Sequence, residues 1–436
     1  MSSNDNTYRN KTNAWYMVIL MTVAYMFSFI DRYILGLLID PIKADLGLSD
    51  TQIGLLLGPA FAIFYATMGL PLGYLADRVK RVWIVAVGVF VWSLATVASG
   101  FAQKFSQLFI ARMGVGIGEA TLSPCAISMI TDSFPEKERG KPIGFYTMGM
   151  SLGAGFAGLS GAAVLILAES VNLVNLPIIG EISRWQLAFI IVGLPGILLA
   201  FLIAALKEPQ RTSNKNQNAE EEIKITEALK FFIEKRSALG SFILPACVMT
   251  IIAYSHAWLA PMFERTWDMP TSTYAFINGL LLLVFGPLSN NSAGWLADRL
   301  VKQGKKDGGL RVVILGAFIF LPTAILAPLV PNPTLCFIML SINTIGIAFT
   351  SSSALIALVR IVPSKIRGLS TAFYLMCISI TGLLLGPTSV GLLNDFVFDA
   401  ENVRYSMSTI PLIFGIPVVA MIPFMRRSYL KEIEKT

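Results

Sequence analysis

Two pairs of charged residues lie where charge is costly. Asp31 and Arg32 are adjacent in the apolar run 15–38, and Arg112 and Glu119 stand seven apart in the run 107–131. An ionised side chain inside hydrocarbon is tolerated only when it is paired or wetted, so each of the four is a candidate for function. Carboxyl groups in such surroundings bind and release protons as burial and nearby arginines change, which makes Asp31 and Glu119 the candidates for proton coupling. A guanidinium fork matches a carboxylate or phosphate, which makes Arg32 and Arg112 candidates for holding an anionic solute. Arg112, Gly116 and Glu119 are spaced four and three apart and share one helix face. If successive spans run antiparallel, Asp31 and Arg112 fall at matching depth, about 24 Å from one end and 8 Å from the other of their helices at about 1.5 Å per residue. The expected arrangement pairs Asp31 with Arg112 or Arg32 and leaves Glu119 facing a cavity. A static network tying the two helices together would leave the same signature.

Other chemistries find no support. The single histidine, His256, and four cysteines scattered through apolar runs (Cys125, Cys247, Cys336, Cys377) offer no metal-ligand spacing. Gly114, Gly116 and Gly118 imitate a nucleotide loop, but no strand precedes them and they lie in an apolar run, so close helix packing is the reading. Gly149/Gly153 and Gly382/Gly386 read the same way. No nucleophile–base pair suggests an enzyme, and no cofactor is implied. Uncharged candidates for lining a cavity lie in the second half: Tyr254, Asn278 and Asn343, with His256, Asn290, Asn291 and Ser351–Ser353 beside them.

The elements that must position these residues follow from composition. Hydrophobic residues make up 55% of the 436 and charged residues 14%, against about 25% charged in soluble domains. Crossing a bilayer takes about 20 apolar residues, and the chain offers that length twelve times: 15–38, 51–75, 82–102, 107–131, 142–168, 185–206, 239–262, 271–296, 311–330, 334–359, 368–392 and 405–425. In lipid such runs must be helices. With the N-terminus in the cytoplasm, 27 of the 34 Lys and Arg fall inside and five outside, giving +12 within and −5 without. That satisfies the positive-inside rule. It accounts for the net charge of +7 through topology and attraction to anionic lipid, with no call for nucleic acid. The first run lacks a cleavage site and reads as a retained helix.

The chain repeats itself. Gly73-Tyr-Leu-Ala-Asp77-Arg78-Val matches Gly294-Trp-Leu-Ala-Asp298-Arg299-Leu at an offset of 221, with five of seven positions identical. Pro135, Arg139, Gly140, Phe145 and Tyr146 match Pro363, Arg367, Gly368, Phe373 and Tyr374 at an offset of 228. The implied organisation is a six-helix half over 1–206, a cytoplasmic linker over 207–238 and a second half over 239–436. Residues 210–218 read as flexible linker. Beyond them Ile225, Leu229, Phe232 and Ile233 recur at helical spacing, which predicts an amphipathic helix along the membrane surface or under the bundle.

These residues resemble the major facilitator superfamily, whose signature is a Gly-x-Leu-Ala-Asp-Arg loop after the second span and again after the eighth. Within it, Phe29–Arg32, Leu48–Gly54 and Arg112–Ala120 resemble the Spinster-like branch, whose members move lysolipids and related amphiphiles. Organic-anion and hexuronate symporters carry similar elements. Lys80 departs from the glycine usual in the loop, and no histidine stands in span eleven. The resemblance implies an all-α membrane protein of twelve helices in two pseudo-symmetric bundles working by alternating access. It also implies gating loops built on Gly73, Asp77, Arg78 and Arg81 and on Gly294, Asp298 and Arg299.

No ATP-binding motif is present, so the expected activity is proton-coupled transport of a small anionic or amphipathic solute. An organic-acid or hexuronate symporter and a non-cycling membrane sensor are the alternatives. The expected setting is the inner membrane, multi-pass, surrounded by lipid, as a monomer with both termini cytoplasmic.

Overall fold

The computed structural model describes residues 11–170, 174–176, 180–211, 225–363 and 366–434. Among the described residues, twelve helices are long and apolar enough to cross a membrane: Lys11–Leu37, Asp50–Gly69, Arg81–Ser99, Phe105–Ser133, Gly140–Ala168, Arg184–Ala204, Arg236–Trp267, Thr271–Lys302, Gly308–Leu329, Pro333–Ile361, Leu369–Phe398 and Ala400–Ile433. They are called spans one to twelve below. Each coincides with an expected apolar run, so the chain is an all-α multi-pass membrane protein. A two-stranded antiparallel ribbon, Val174–Leu176 against Gly180–Ile182, interrupts the helices between spans five and six.

Local sequence sets the helix starts. Ser49 and Gln52 form a reciprocal capping box before span two, Ser183 and Gln186 another before span six, and Asn332 accepts the Leu335 N–H at 2.9 Å before span ten. Span twelve runs past its apolar run because charged partners hold its last turns. Lys235 Nζ lies 2.6 Å from Glu432 Oε2, and Arg426 Nη2 lies 2.9 Å from Asp307 Oδ2. Large side chains such as Leu198, Phe201, Phe318 and Ile413 remain exposed on the surface, as a lipid-facing shell requires.

The helices fall into two compact units, 1–214 with 270–283 and 215–269 with 284–436. In the first unit, span five approaches span eight closely enough that a Cβ at Gly158 would lie 2.7 Å from the Ala275 carbonyl oxygen and from Gly279 Cα. That approach, with Asn278 Nδ2 donating to Tyr33 Oη at 2.8 Å, is why 270–283 groups with the first unit although the repeat divides the chain before it.

Each unit shows the repeat in its packing. Spans three and four meet at Gly88 and Gly118, where an added Cβ at Gly118 would stand 2.6 Å from the Gly88 oxygen. Spans nine and ten meet at Gly316 and Gly346, where the corresponding distance is 2.9 Å. Both glycines recur at an offset of 228. The echoed tyrosines Tyr146 and Tyr374 are each 1% exposed. Phe145 makes an edge contact with Trp15 at 5.9 Å, and its counterpart Phe373 makes one with Phe232 at 4.6 Å.

Phe232 belongs to the helix Ile225–Glu234. With Phe231 it packs on the second unit's apolar core around Leu239, Phe242, Ile366 and Tyr374. Of the expected flexible segment 210–218, residues from 212 onward lie outside the described residues.

Candidate functional site

Span four reaches the site through a glycine. A Cβ at Gly116 would lie 2.5 Å from the Phe61 carbonyl oxygen, so only glycine lets span two approach this closely. The approach carries the Phe61 ring up to two guanidinium groups. Arg32 Cζ lies 4.6 Å from its centroid and Arg112 Cζ 5.7 Å, within cation–π range of both. Tyr65, one turn further along span two, lies 5.1 Å from Arg32 Cζ, and Phe29 lies 5.5 Å away.

Arg32 is paired with Glu119. Its Nε donates to Glu119 Oε2 at 2.7 Å, and Nη2 donates to the same oxygen. The Arg32 side chain keeps 19% of its surface exposed, whereas that of Glu119 keeps 1%. Asp31 and Arg112, both 2% exposed, are joined by a longer contact from Arg112 Nη1 to the Asp31 backbone oxygen at 3.4 Å. Asp31 Oδ1, Arg112 Nε and Glu119 Oε1 have no hydrogen-bond partner. The arrangement differs from the expected one: Arg32 takes Glu119 as its partner, and the Asp31 carboxylate is held near Arg112 without a close ion pair. The reason is reach. Arg32 points past Phe61 into span four, while Asp31 faces span three beside Thr96.

All four charged candidates thus converge. The uncharged ones do not share that centre. Asn278 is 8% exposed and committed to Tyr33. Asn343, fully buried, donates to the Phe320 oxygen at 2.8 Å and to Thr323 Oγ1 at 3.0 Å, which makes it a tie between spans nine and ten of the second unit. The Tyr254 ring packs across Gly382 of span eleven. Sequence reasoning passed over Phe61 and Tyr65; their i, i+4 spacing opposite Gly116 was the available signal.

The residues expected to form gating loops are helical, with Gly73, Asp77 and Arg78 in Pro59–Arg78 and Gly294, Asp298 and Arg299 in Thr271–Lys302, and the two sets share a surface feature. Arg78 lies over the Tyr74 ring at 4.0 Å, and Arg299 over Trp295 at 5.2 Å, with both rings largely exposed. Gly73 and Gly294 have open space where a Cβ would point. The Asp77 side chain lies outside the described residues. Arg81 is different in kind, being 2% exposed and bonded to Ser128 Oγ at 2.7 Å, to Asp132, and to Glu208 Oε1 at 2.8 Å. In the second unit Asp307, just ahead of span nine, accepts from Arg311 at 2.6 Å and from Arg426. Burial alone would push the Asp307 carboxyl up, but the hydrogen bonds and charges of Arg311 and Arg426 outweigh it and hold the group below its ordinary value.

Among the described residues no cluster of three or more His, Cys, Asp or Glu could hold a metal ion.

Comparison with known proteins agrees with this architecture. A bacterial homologue of the human lysosomal transporter Spinster, solved inward-facing and unoccupied, superposes with a TM-score of 0.84 at 28% identity, covering 97% of this chain and 99% of that one. An MFS-type efflux pump of Mycolicibacterium smegmatis is 29% identical over 88% of this chain and 86% of its own length. A probable L-galactonate transporter of Escherichia coli is 26% identical over 76% and 71%. Residues 21–387 match the Major Facilitator Superfamily model, and the chain, a transporter rather than an enzyme, belongs to that superfamily and resembles its Spinster-like branch.

Proposed function

We propose that the chain is a proton-coupled secondary transporter that moves a small anionic or amphipathic organic solute, lysolipid-like in character, by alternating access. The observation that carries this reading is the buried pair of Arg32 with Glu119, set beside the unpaired polar atoms of Asp31 and Arg112. With all four groups ionised the cluster is neutral. A proton on Glu119 removes the charge that holds Arg32, leaving a guanidinium with donors to offer an anionic head group. Binding of that anion and binding of the proton then favour each other, which is the thermodynamic content of coupling. Phe29, Tyr65 and the ring of Phe61 supply apolar surface beside the cation, and this combination suits an amphiphile. In this reading the protein lies in the inner membrane with both termini cytoplasmic, as the charge asymmetry of its loops supports, and the bundles rock about the midplane.

Proton symport of an organic acid or sugar acid is the second reading, favoured by the likeness to the probable L-galactonate transporter. The two separate in proteoliposomes under an imposed pH gradient. Proton flux stimulated by a lysophospholipid supports the first, flux stimulated by a hexonate supports the second, and silence across a broad panel of both rejects transport in favour of a sensor.

A further inference from the structure

The chain leaving span six makes a set of contacts that neither the charge cluster nor the repeat calls for. Glu208 and Arg211 bracket the turn between spans two and three. Arg211 Nη2 donates to the Ala76 and Val79 oxygens, at 2.7 Å each. Ala76 lies in the last turn of the helix Pro59–Arg78, and Val79 is the residue that ends it. Terminal carbonyls of a helix have no intrahelical donor, and a cation placed there also meets the negative end of the helix dipole. Glu208 does the converse for the next helix. Its Oε2 accepts the Val82 N–H at 2.9 Å, one of the unpaired donors at the start of span three. Its Oε1 takes Arg81 Nε at 2.8 Å, and the Pro209 oxygen accepts from Arg81 Nη2 at 3.2 Å. A carboxylate therefore sits at the positive end of one helix and a guanidinium at the negative end of the other, supplied by residues three apart on one strand of chain.

We propose that Glu208 and Arg211 are positioning residues for the turn that follows Gly73, Asp77 and Arg78 at the end of their helix, so that the segment entering the interbundle linker sets the conformation of that turn. Three of the five contacts act on backbone groups of the turn itself, and the other two hold Arg81, which is buried among Ser128, Asp132 and Glu208 and anchors the clamp to span four. Release of the clamp frees two helix ends at once. The consequence for transport rests on the alternating-access reading above, in which this turn opens and closes one side of the protein; the clamp itself does not.

Hydrogen–deuterium exchange on the full chain in lipid nanodiscs tests the proposal without needing any solute. In R211A, amides of residues 76–83 are expected to exchange about fivefold faster, the scale of losing a charged helix cap. R211K is expected to stay near wild type, and peptides covering Phe105–Glu119 to be unchanged. E208Q, a milder change, should speed the Val82 amide in the same way and carries the test if R211A does not reach the membrane. Unchanged exchange in the turn in both variants would overturn the clamp, as would a general rise across the first unit, which would mark a merely structural role. With lysophosphatidic acid and galactonate as transport probes, R211A should lower the maximal rate and leave KM within about twofold. A wild-type protein that moves neither probe would count against both proposed substrate classes while leaving the exchange result to judge the clamp.

Discussion

Arg32 and Glu119, 87 positions apart, share a hydrogen bond of 2.7 Å between Nε and Oε2 that joins the first span to the fourth. The same oxygen receives Nη2, so one carboxylate atom collects both arms of the fork while Glu119 Oε1 stays unpaired. A pair so placed responds as a whole to the loss of one charge, because the partner left behind is buried and uncompensated.

Arg32→Lys keeps the charge and removes the fork. A point charge on a flexible stem cannot donate two arms to Glu119 Oε2 or present a planar face to Phe61 and Tyr65. Solute uptake by R32K is expected to fall about tenfold in maximal rate over KM, and uptake equal to wild type would show that charge alone suffices.

Gly116→Ala tests the approach of span two. The new methyl meets the Phe61 backbone oxygen at 2.5 Å, and backbone cannot step aside as a flexible side chain can. Overpacking of this kind costs about 1–3 kcal/mol. Thermal unfolding in detergent should show that loss, together with reduced uptake as Phe61 leaves the two arginines.

Much of this architecture was legible in the sequence because the bilayer imposes it. Length and charge-free apolar runs left helices as the sole option, and the two echoes predict two halves, from which the structure departs by grouping 270–283 with the first unit. The four intramembrane charges were legible for the same reason, since a charge inside an apolar run must be paired or wetted. Their pairing was not. Whether Arg32 or Arg112 meets Glu119 depends on side-chain reach past Phe61, which spacing within one helix does not encode. Asn343 misled in the opposite direction, since a polar residue in an apolar run reads alike whether it lines a cavity or ties two helices. The Gly88–Gly118 and Gly316–Gly346 contacts share one offset; Gly118 lies in a glycine run legible as close packing, whereas Gly88, Gly316 and Gly346 stand isolated in the sequence. The grouping of 270–283 with the first unit rests on a close approach at Gly158; Gly153, Gly155, Gly158 and Gly161 mark span five as a smooth packing surface, but nothing local names span eight as its partner.

Asn343→Ala distinguishes the tie from a ligand contact. Its amide serves the Phe320 oxygen and Thr323 Oγ1, so truncation removes both hydrogen bonds of this buried amide, each worth about 0.5–1.5 kcal/mol. The expected result is a lowered unfolding temperature with KM unchanged. A raised KM at unaltered stability would return Asn343 to the binding site.

Asp307→Asn addresses pH dependence. Arg311 and Arg426 hold the Asp307 carboxyl below its ordinary value, so its contribution is complete above the unfolded value of about 4 and is lost as pH falls through the lower folded value. Unfolding followed from pH 7 to pH 3 should show D307N less stable at neutral pH and converging on wild type in acid. Parallel curves throughout would mean the group does not titrate against folding.

The central claim is that Glu119 links proton binding to the work of Arg32, and Glu119→Gln in proteoliposomes tests it most directly. The neutral amide keeps the shape and removes the charge. The expected result is loss of accumulation driven by a pH gradient with exchange of solute across the membrane preserved. Gradient-driven accumulation at the wild-type level in E119Q would contradict the account.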